Sequence, residues 1–421
     1  MTAQHSLSRE HTLPAPETAE RKDSLIPPFL LAAAVFYNAC LAFINAHGLV
    51  FGMVHVAVCE ALILLAATGF VISRFHRMPA KKHLIVASFA FYLALGLWVS
   101  LANGTVFLHT ARNFAIISLF FLVGTQSSPA QMIRTFSVVA AATVSVMLVE
   151  GFLPQVYVWL FQPAEYFSNT RGIEALATDS SGLFRNSLGF AGRFSFGLFD
   201  QRRLSSVFME QVSLANFSMV LCILAITWWN DINSRRRIIF AGTVLFMVVS
   251  NSSRTSIALC LLMVLGYTAF PRLPRSGYML VMPLVLAAAT IMFIAQGGSG
   301  SHLTDDMSGR IGHTINLLLN MDLSDFVIGN IPRIAKTGDS GYAFIVYAST
   351  IFGLLYFWIF LSTVLPSAGA EARRFSYALL FYISINLLVG AAIFSIKVNA
   401  PLWMIAGCLA ARESTRKSQH D

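Results

Sequence analysis

Two polar stretches of this chain, residues 154–203 and 296–342, hold eight basic residues, and seven of these are arginine. The first stretch carries Arg171, Arg185, Arg193, Arg202 and Arg203; the second carries Arg310, Arg333 and Lys336. A guanidinium presents a planar fork of donors that fits phosphate or carboxylate in two-point contact, whereas a lysine ammonium acts as a point charge. Ionisable residues inside apolar runs add to the pattern, because they are costly there and mark functional sites by default. Arg112 sits beside Asn113 and one turn from His109; Glu150 and Glu210 fall at similar depth in other runs. Arg203, Ser206, Glu210 and Ser213 are spaced to share one helical face. Residues 308–320 read as a short helix with Ile311, Ile315, Leu318 and Leu319 on one side and Arg310, His313 and Asn316 on the other. A structural alternative has Arg112 paired with Glu210 or Glu150. Glu60, deep in another run, has no obvious partner and reads as a protonated or hydrogen-bonded buried group.

The elements that must position these residues are set by the apolar runs. Of 421 residues, 56% are hydrophobic and only 12% charged, against about 25% charged in soluble domains. The runs are near 20 residues long, the length a helix needs to cross a hydrocarbon core, without the ten-residue alternation of a membrane barrel. The expected fold is an all-α integral membrane protein of about twelve transmembrane helices, at about 26–46, 49–72, 84–101, 106–124, 136–153, 204–229, 238–250, 255–270, 278–295, 343–365, 375–395 and 398–411. Residues 1–24 read as a polar cytoplasmic tail without a cleavable signal, 25–411 as one membrane domain and 412–421 as a second tail. With the N-terminus inside, the short inner loops hold twelve Lys and Arg against two, Arg254 and Lys397, on the short outer loops. That satisfies the positive-inside rule and puts both termini in the cytoplasm and both long loops outside. The aromatic stretch 155–167 is expected at the headgroup level, and the Phe- and Arg-bearing stretch 183–199 resting on lipid.

The net charge of +9 does not indicate nucleic acid, since the basic residues flank apolar segments and orientation explains them. All five cysteines fall inside apolar runs and read as small buried hydrophobes. Asp305-Asp306 and Asp322-x-x-Asp325 are poor metal signatures and fit helix caps or turns better; neither a metal nor another cofactor is expected.

Three stretches resemble the bacterial O-antigen polymerase/ligase family. One runs from Arg203 through Glu210 to Phe217: an Arg, small residues, an acid, then a small or polar stretch. The second, Ser250 to Ser256 around Arg254, resembles the family's Ser-rich outer hairpin. The third, Asp339-Ser340-Gly341-Tyr342 followed by Gly353, resembles the end of the family's second large loop. The resemblance spans about residues 100–365. Ligases of the family carry a His where this chain has Asp339, which favours a polymerase.

The resemblance implies a metal-independent glycosyltransferase of the bacterial inner membrane, with its two loops periplasmic. It would join undecaprenyl-diphosphate-linked oligosaccharide units, with membrane lipids, a flippase and a chain-length regulator as partners. In that reaction Arg203, Arg254 and Arg310 would contact the diphosphate, and Arg112 would belong to the same cavity. Glu210 or Asp339, with His313 third, would take the acceptor's proton. Three other readings stay open: a ligase transferring a finished glycan, a secondary transporter, and a non-catalytic assembly protein.

Overall fold

Helix starts in this chain are written locally. Ser128 accepts a hydrogen bond from the Gln131 amide at 3.2 Å with Pro129 following it, Asn233 caps through the Arg236 amide at 2.9 Å, and Ser340 through the Ala343 amide at 3.2 Å. Each side chain satisfies an amide that has no partner within its own helix. The computed structural model describes residues 24–79, 81–173, 181–188, 194–199, 202–298 and 307–418. Among these residues the fold is helical, without strands. The helices are α1 (Ile26–Ala46), α2 (Met53–Arg74), α3 (Lys81–Ala102), α4 (His109–Gly124), α5 (Pro129–Phe152), α6 (Pro154–Phe161), α7 (Pro163–Arg171), α8 (Gln211–Thr227) and α9 (Ser234–Asn251). They continue as α10 (Arg254–Ala269), α11 (Tyr278–Ala295), α12 (Met307–Leu319), α13 (Leu323–Ile328), α14 (Ile331–Ile334), α15 (Gly341–Val364), α16 (Ala370–Val389) and α17 (Ile396–Ser418).

Twelve of the described helices have 16 residues or more, and they stand where the apolar runs do. Seven segments, containing α1, α2, α3, α5, α10, α11 and α15, are long and apolar enough to cross a membrane; α4 and α8 are shorter apolar helices. Large apolar side chains face outward on these helices: Leu65 is 65% exposed, Leu265 74% and Ile291 67%. A surface of that kind is stable against lipid and not against water, which is the mark of a multi-pass membrane protein.

Inside the bundle, α4 and α17 pack closely. A Cβ at Gly124 would strike the Met404 backbone, and one at Gly407 the Phe121 backbone. Small residues let helix backbones approach where no water drives association. One end of the bundle gathers the helix ends near residues 24, 77–81, 125–129, 228–234, 270–277 and 365–370. There the Gln131 side-chain Nε2 donates to the Ser24 carbonyl at 2.7 Å and Lys81 pairs with Glu413 at 3.4 Å. The last helix, expected to stop at 411, runs on to Ser418, with Arg412 paired to Glu371 at 2.6 Å.

The opposite, far end holds the two polar stretches. The aromatic stretch 155–167 forms α6 and α7, and most of its rings are drawn into the bundle rather than laid out at a surface. Tyr157, Tyr166 and Phe167 are fully buried, and only Trp159 is largely exposed. Hydrogen bonding explains the docking: Tyr166 donates to Asn38 at 2.8 Å and Tyr157 to the Ser206 carbonyl at 3.0 Å. In the second stretch α12 forms as expected, with Ile311 and Ile315 buried, while Leu319 is exposed. Asp322 and Asp325 cap α13 and pair with Arg333 at 2.9 and 2.6 Å. Arg193, Phe190, Asp305 and Asp306 lie outside the described residues.

Candidate functional site

The turn between α9 and α10 is built to present an arginine. Ser252 adopts a left-handed conformation (φ 53°) that ends α9, and Ser253 then caps α10 through the Ser256 amide at 3.4 Å. Arg254 follows as the first residue of α10, its guanidinium 5.1 Å from the Phe194 ring centroid. The Asn251 side-chain amide donates to the Leu204 carbonyl at 3.1 Å and to the Gln211 carbonyl at 2.8 Å, tying this turn to the segment before α8. Arg203, on that segment, donates to the Ser252 carbonyl at 3.0 Å.

These contacts form one wall of a cavity of about 510 Å³ at the far end of the bundle. Arg310 of α12 and Asp339, just before α15, close it from the other side, their charged atoms 3.1 Å apart. Gln211 and Asn216 of α8 and Asn386 of α16 line its floor. The Gln211 Oε1 is buried and accepts no hydrogen bond among the described residues, while its side-chain amide donates to Ser187. Among the described residues, the Arg203, Arg254 and Arg310 guanidinium groups and the Asp339 carboxylate line this space, a set of donors suited to an oxyanion.

The expected helical face through Arg203, Ser206, Glu210 and Ser213 does not form. Residues 206–208 make a 3₁₀ turn, Ser206 and Met209 take positive φ (52° and 60°), and α8 starts only at Gln211. The cause is Glu150, at the far end of α5. Its buried carboxylate accepts from the Ser205 amide at 3.0 and 2.9 Å, from the Ser205 hydroxyl at 2.9 Å and from the Ser206 amide at 2.6 Å. A carboxylate satisfying that many donors outcompetes the helical ladder. Glu150 thus shapes the cavity wall and is no partner for Arg112.

Arg112 pairs with Glu60 through both Nε, at 3.0 Å, and Nη2. Tyr37 donates to the same carboxylate at 2.5 Å. Glu60, which lacks a partner when the sequence is read alone, is therefore part of a half-buried triad. Arg112 and Glu60 line a second cavity of about 310 Å³ with Arg171 of α7 and Lys397 of α17, so Arg112 does not share the cavity of the other three arginines.

Glu210 stands between the cavities and lines neither. Its carboxylate pairs with Arg171 at 3.1 Å, lies 3.7 Å from Lys397 and accepts from Ser213 at 3.0 Å. It precedes α8, outside every helix long and apolar enough to cross a membrane. Burial pushes its carboxyl up, but Lys397 and Arg171 outweigh burial and hold it down at about 2. Burial likewise opposes the charge on Arg171, and the Glu210 carboxylate more than offsets this, holding the guanidinium above its ordinary range. A carboxylate shared by two cations is a weak base. His313 turns its Nε2 toward the Thr337 carbonyl at 3.3 Å and does not line the larger cavity.

The structure therefore brings together Arg203, Arg254, Arg310 and Asp339, and sets Arg112, Glu210 and His313 apart from them. Sequence reasoning missed Gln211 and Asn251, which carry no charge to flag them. It also missed the site position of Lys397, whose side chain is only 2% exposed; a cation in a run otherwise apolar was the available signal. No protein-family model, curated protein or solved structure matches the chain.

Proposed function

We propose that this protein is a polysaccharide polymerase that joins lipid-diphosphate-linked oligosaccharide units at the outer face of a bacterial inner membrane. The reading takes the bundle as twelve spans with both termini in the cytoplasm and the two polar stretches in the periplasm. The observation that carries it is the convergence of Arg203, Arg254, Arg310 and Asp339 on one cavity from four separate segments. A glycosyl transfer from a lipid diphosphate needs that set: cations where charge builds on the leaving diphosphate, and a carboxylate where the acceptor hydroxyl gives up its proton.

In this reading the donor's diphosphate lies against Arg203 and Arg254 and draws Arg310 from Asp339. The freed carboxylate takes the proton of the acceptor hydroxyl as that oxygen attacks the anomeric carbon. The bond from that carbon to the diphosphate oxygen breaks, and the diphosphate leaves with the electron pair. Asp339 suits the base role better than Glu210, which two cations hold ionised. Asp339, in place of the histidine that ligases of the resembling family carry, favours polymerisation over transfer of a finished glycan.

The test is the length profile of surface and lipid-linked glycans in cells lacking the protein. Single repeat units without a ladder support the polymerase. Full-length polymer retained on its lipid carrier means a ligase, and an unchanged profile removes both readings and returns a transporter to consideration.

A further inference from the structure

We propose that the second cavity is a separate phosphate-binding site that anchors the lipid diphosphate of the second substrate while the first cavity holds the one that is broken. The inference rests on the polymerase reading and adds a place for the other reactant.

The argument begins with charge. Among the described residues, Arg112, Arg171 and Lys397 line the second cavity, and their carboxylate partners are Glu60 and Glu210. Three cations against two anions leave one positive charge uncompensated at the edge of an apolar bundle. Arg112 and Arg171 keep some solvent, but Lys397 is only 2% exposed, and a cation buried to that degree is costly until an anion joins it. The Lys397 ammonium donates to the Phe208 carbonyl at 3.1 Å and lies 3.7 Å from the Glu210 carboxylate. It still lines the cavity.

Geometry points to a substrate headgroup. The segment joining α16 to α17 is the wall between the two cavities: Val389, Gly390 and Ala392 line the first, and Ala391, Ser395 and Lys397 the second. In a polymerisation both reactants carry a lipid diphosphate. The donor's diphosphate is bonded to the reacting sugar, but the acceptor's is separated from its reacting hydroxyl by a whole repeat unit. The second anion site must therefore be distinct from the first yet on the same end of the bundle, as these cavities are. Met53 of α2 lines the second cavity and is 69% exposed, which leaves an apolar flank for a prenyl chain.

The experiment measures how many equivalents of farnesyl diphosphate the full-length protein binds in phosphatidylcholine nanodiscs, by native mass spectrometry. Two equivalents are expected. Arg171→Gln is expected to weaken one of them at least tenfold and spare the other, and Arg254→Gln to do the reverse. Since Arg171→Gln also strips Glu210 of a partner, Arg171→Lys serves as the second variant: it keeps the ion pair, loses the planar fork, and should weaken the same equivalent more mildly. A single equivalent in the wild type, abolished by Arg254→Gln, overturns the proposal while leaving the polymerase reading to its own glycan assay. So does a pair of equivalents that neither Arg171 variant disturbs. Replacing part of the phosphatidylcholine with phosphatidylglycerol separates the two phosphate sources. If the Arg171-dependent equivalent survives, the site prefers the prenyl diphosphate; if it is displaced, the site takes ordinary lipid headgroups and the substrate assignment falls. An unaltered glycan ladder in cells lacking the protein overturns that assignment too, whatever the stoichiometry.

Discussion

The Arg310 guanidinium meets the Asp339 carboxylate at 3.1 Å, joining α12 to the residue that leads into α15. Both groups keep partial solvent access, at 31% and 48%, so the pair contributes little to stability and can open when an anion arrives. If Asp339 is the proton acceptor, Asp339→Asn should lower polymerisation about 10²- to 10⁴-fold and leave the melting temperature of the purified protein unchanged. Glycan ladders from complemented cells, beside a thermal melt in detergent, check both halves.

Glu210→Gln should behave in the opposite way. It leaves Arg171 and Lys397 without their shared counter-ion; Lys397 is buried, but Glu210 is 23% exposed and Arg171 36%, so the loss should fall below the ~3–5 kcal/mol of a fully buried pair. The melt should fall, and Glu210→Gln combined with Lys397→Met should recover part of the loss, a coupling that a double-mutant cycle reads directly.

The same residue sets a pH dependence. Its folded carboxyl lies near 2, below the ordinary carboxylate range of about 4. A depressed carboxyl stabilises the fold above its unfolded value, and that contribution is lost as pH falls through the folded value. The wild-type advantage over Glu210→Gln should thus be constant between about pH 5 and 7 and shrink from about pH 4 downward. A gap that widened on acidification would contradict the ion-paired assignment.

Glu150→Ala should collapse the wall of the larger cavity. It orphans the Ser205 and Ser206 amides, each at a cost of about 1–3 kcal/mol when buried. Farnesyl diphosphate binding that depends on Arg254 should weaken along with stability, because Arg203 and the α9–α10 turn are held by that segment.

Gly407→Val tests the bundle alone. The added side chain meets the Phe121 backbone, and overpacking of this kind costs about 1–3 kcal/mol. Folded yield and melting temperature should drop, with the relative efficiency of phosphate binding in the surviving protein preserved.

The helices were legible because a bilayer sets a minimum length for an apolar helix, and the twelve apolar runs all coincide with helices, seven of them in segments long and apolar enough to cross a membrane. Arg203, Arg254 and Arg310 were legible too, since arginines at the end of the bundle away from the basic loops run against the expected orientation. Other features depend on partners remote in sequence. The break before α8 is imposed by Glu150, 55 residues upstream of Ser205, and no local propensity announces it. Arg112 and Glu60 meet across 52 residues, so neither could be assigned its partner from spacing. Lys397 was counted as an orientation signal, and only the packing of α17 against α8 reveals its side chain facing inward.

One feature of α15 reaches beyond the site. Its ladder is interrupted at Ser349 and Thr350, the latter at φ 63°. The carbonyls freed there are taken up from outside the helix: the Asn330 amide donates to Tyr347 at 2.9 Å, and the Thr110 hydroxyl to Ala348 at 3.0 Å. Irregular backbone at such a depth persists only where neighbours supply the missing partners. The helix is in effect two rods on a joint. The rod that begins beside Asp339 is tethered to α13 and α14, while the rod beyond the joint is anchored at the basic end. A swing of the first would carry Asp339 relative to Arg254 and leave the second in place, so the width of the larger cavity can change from within a single helix.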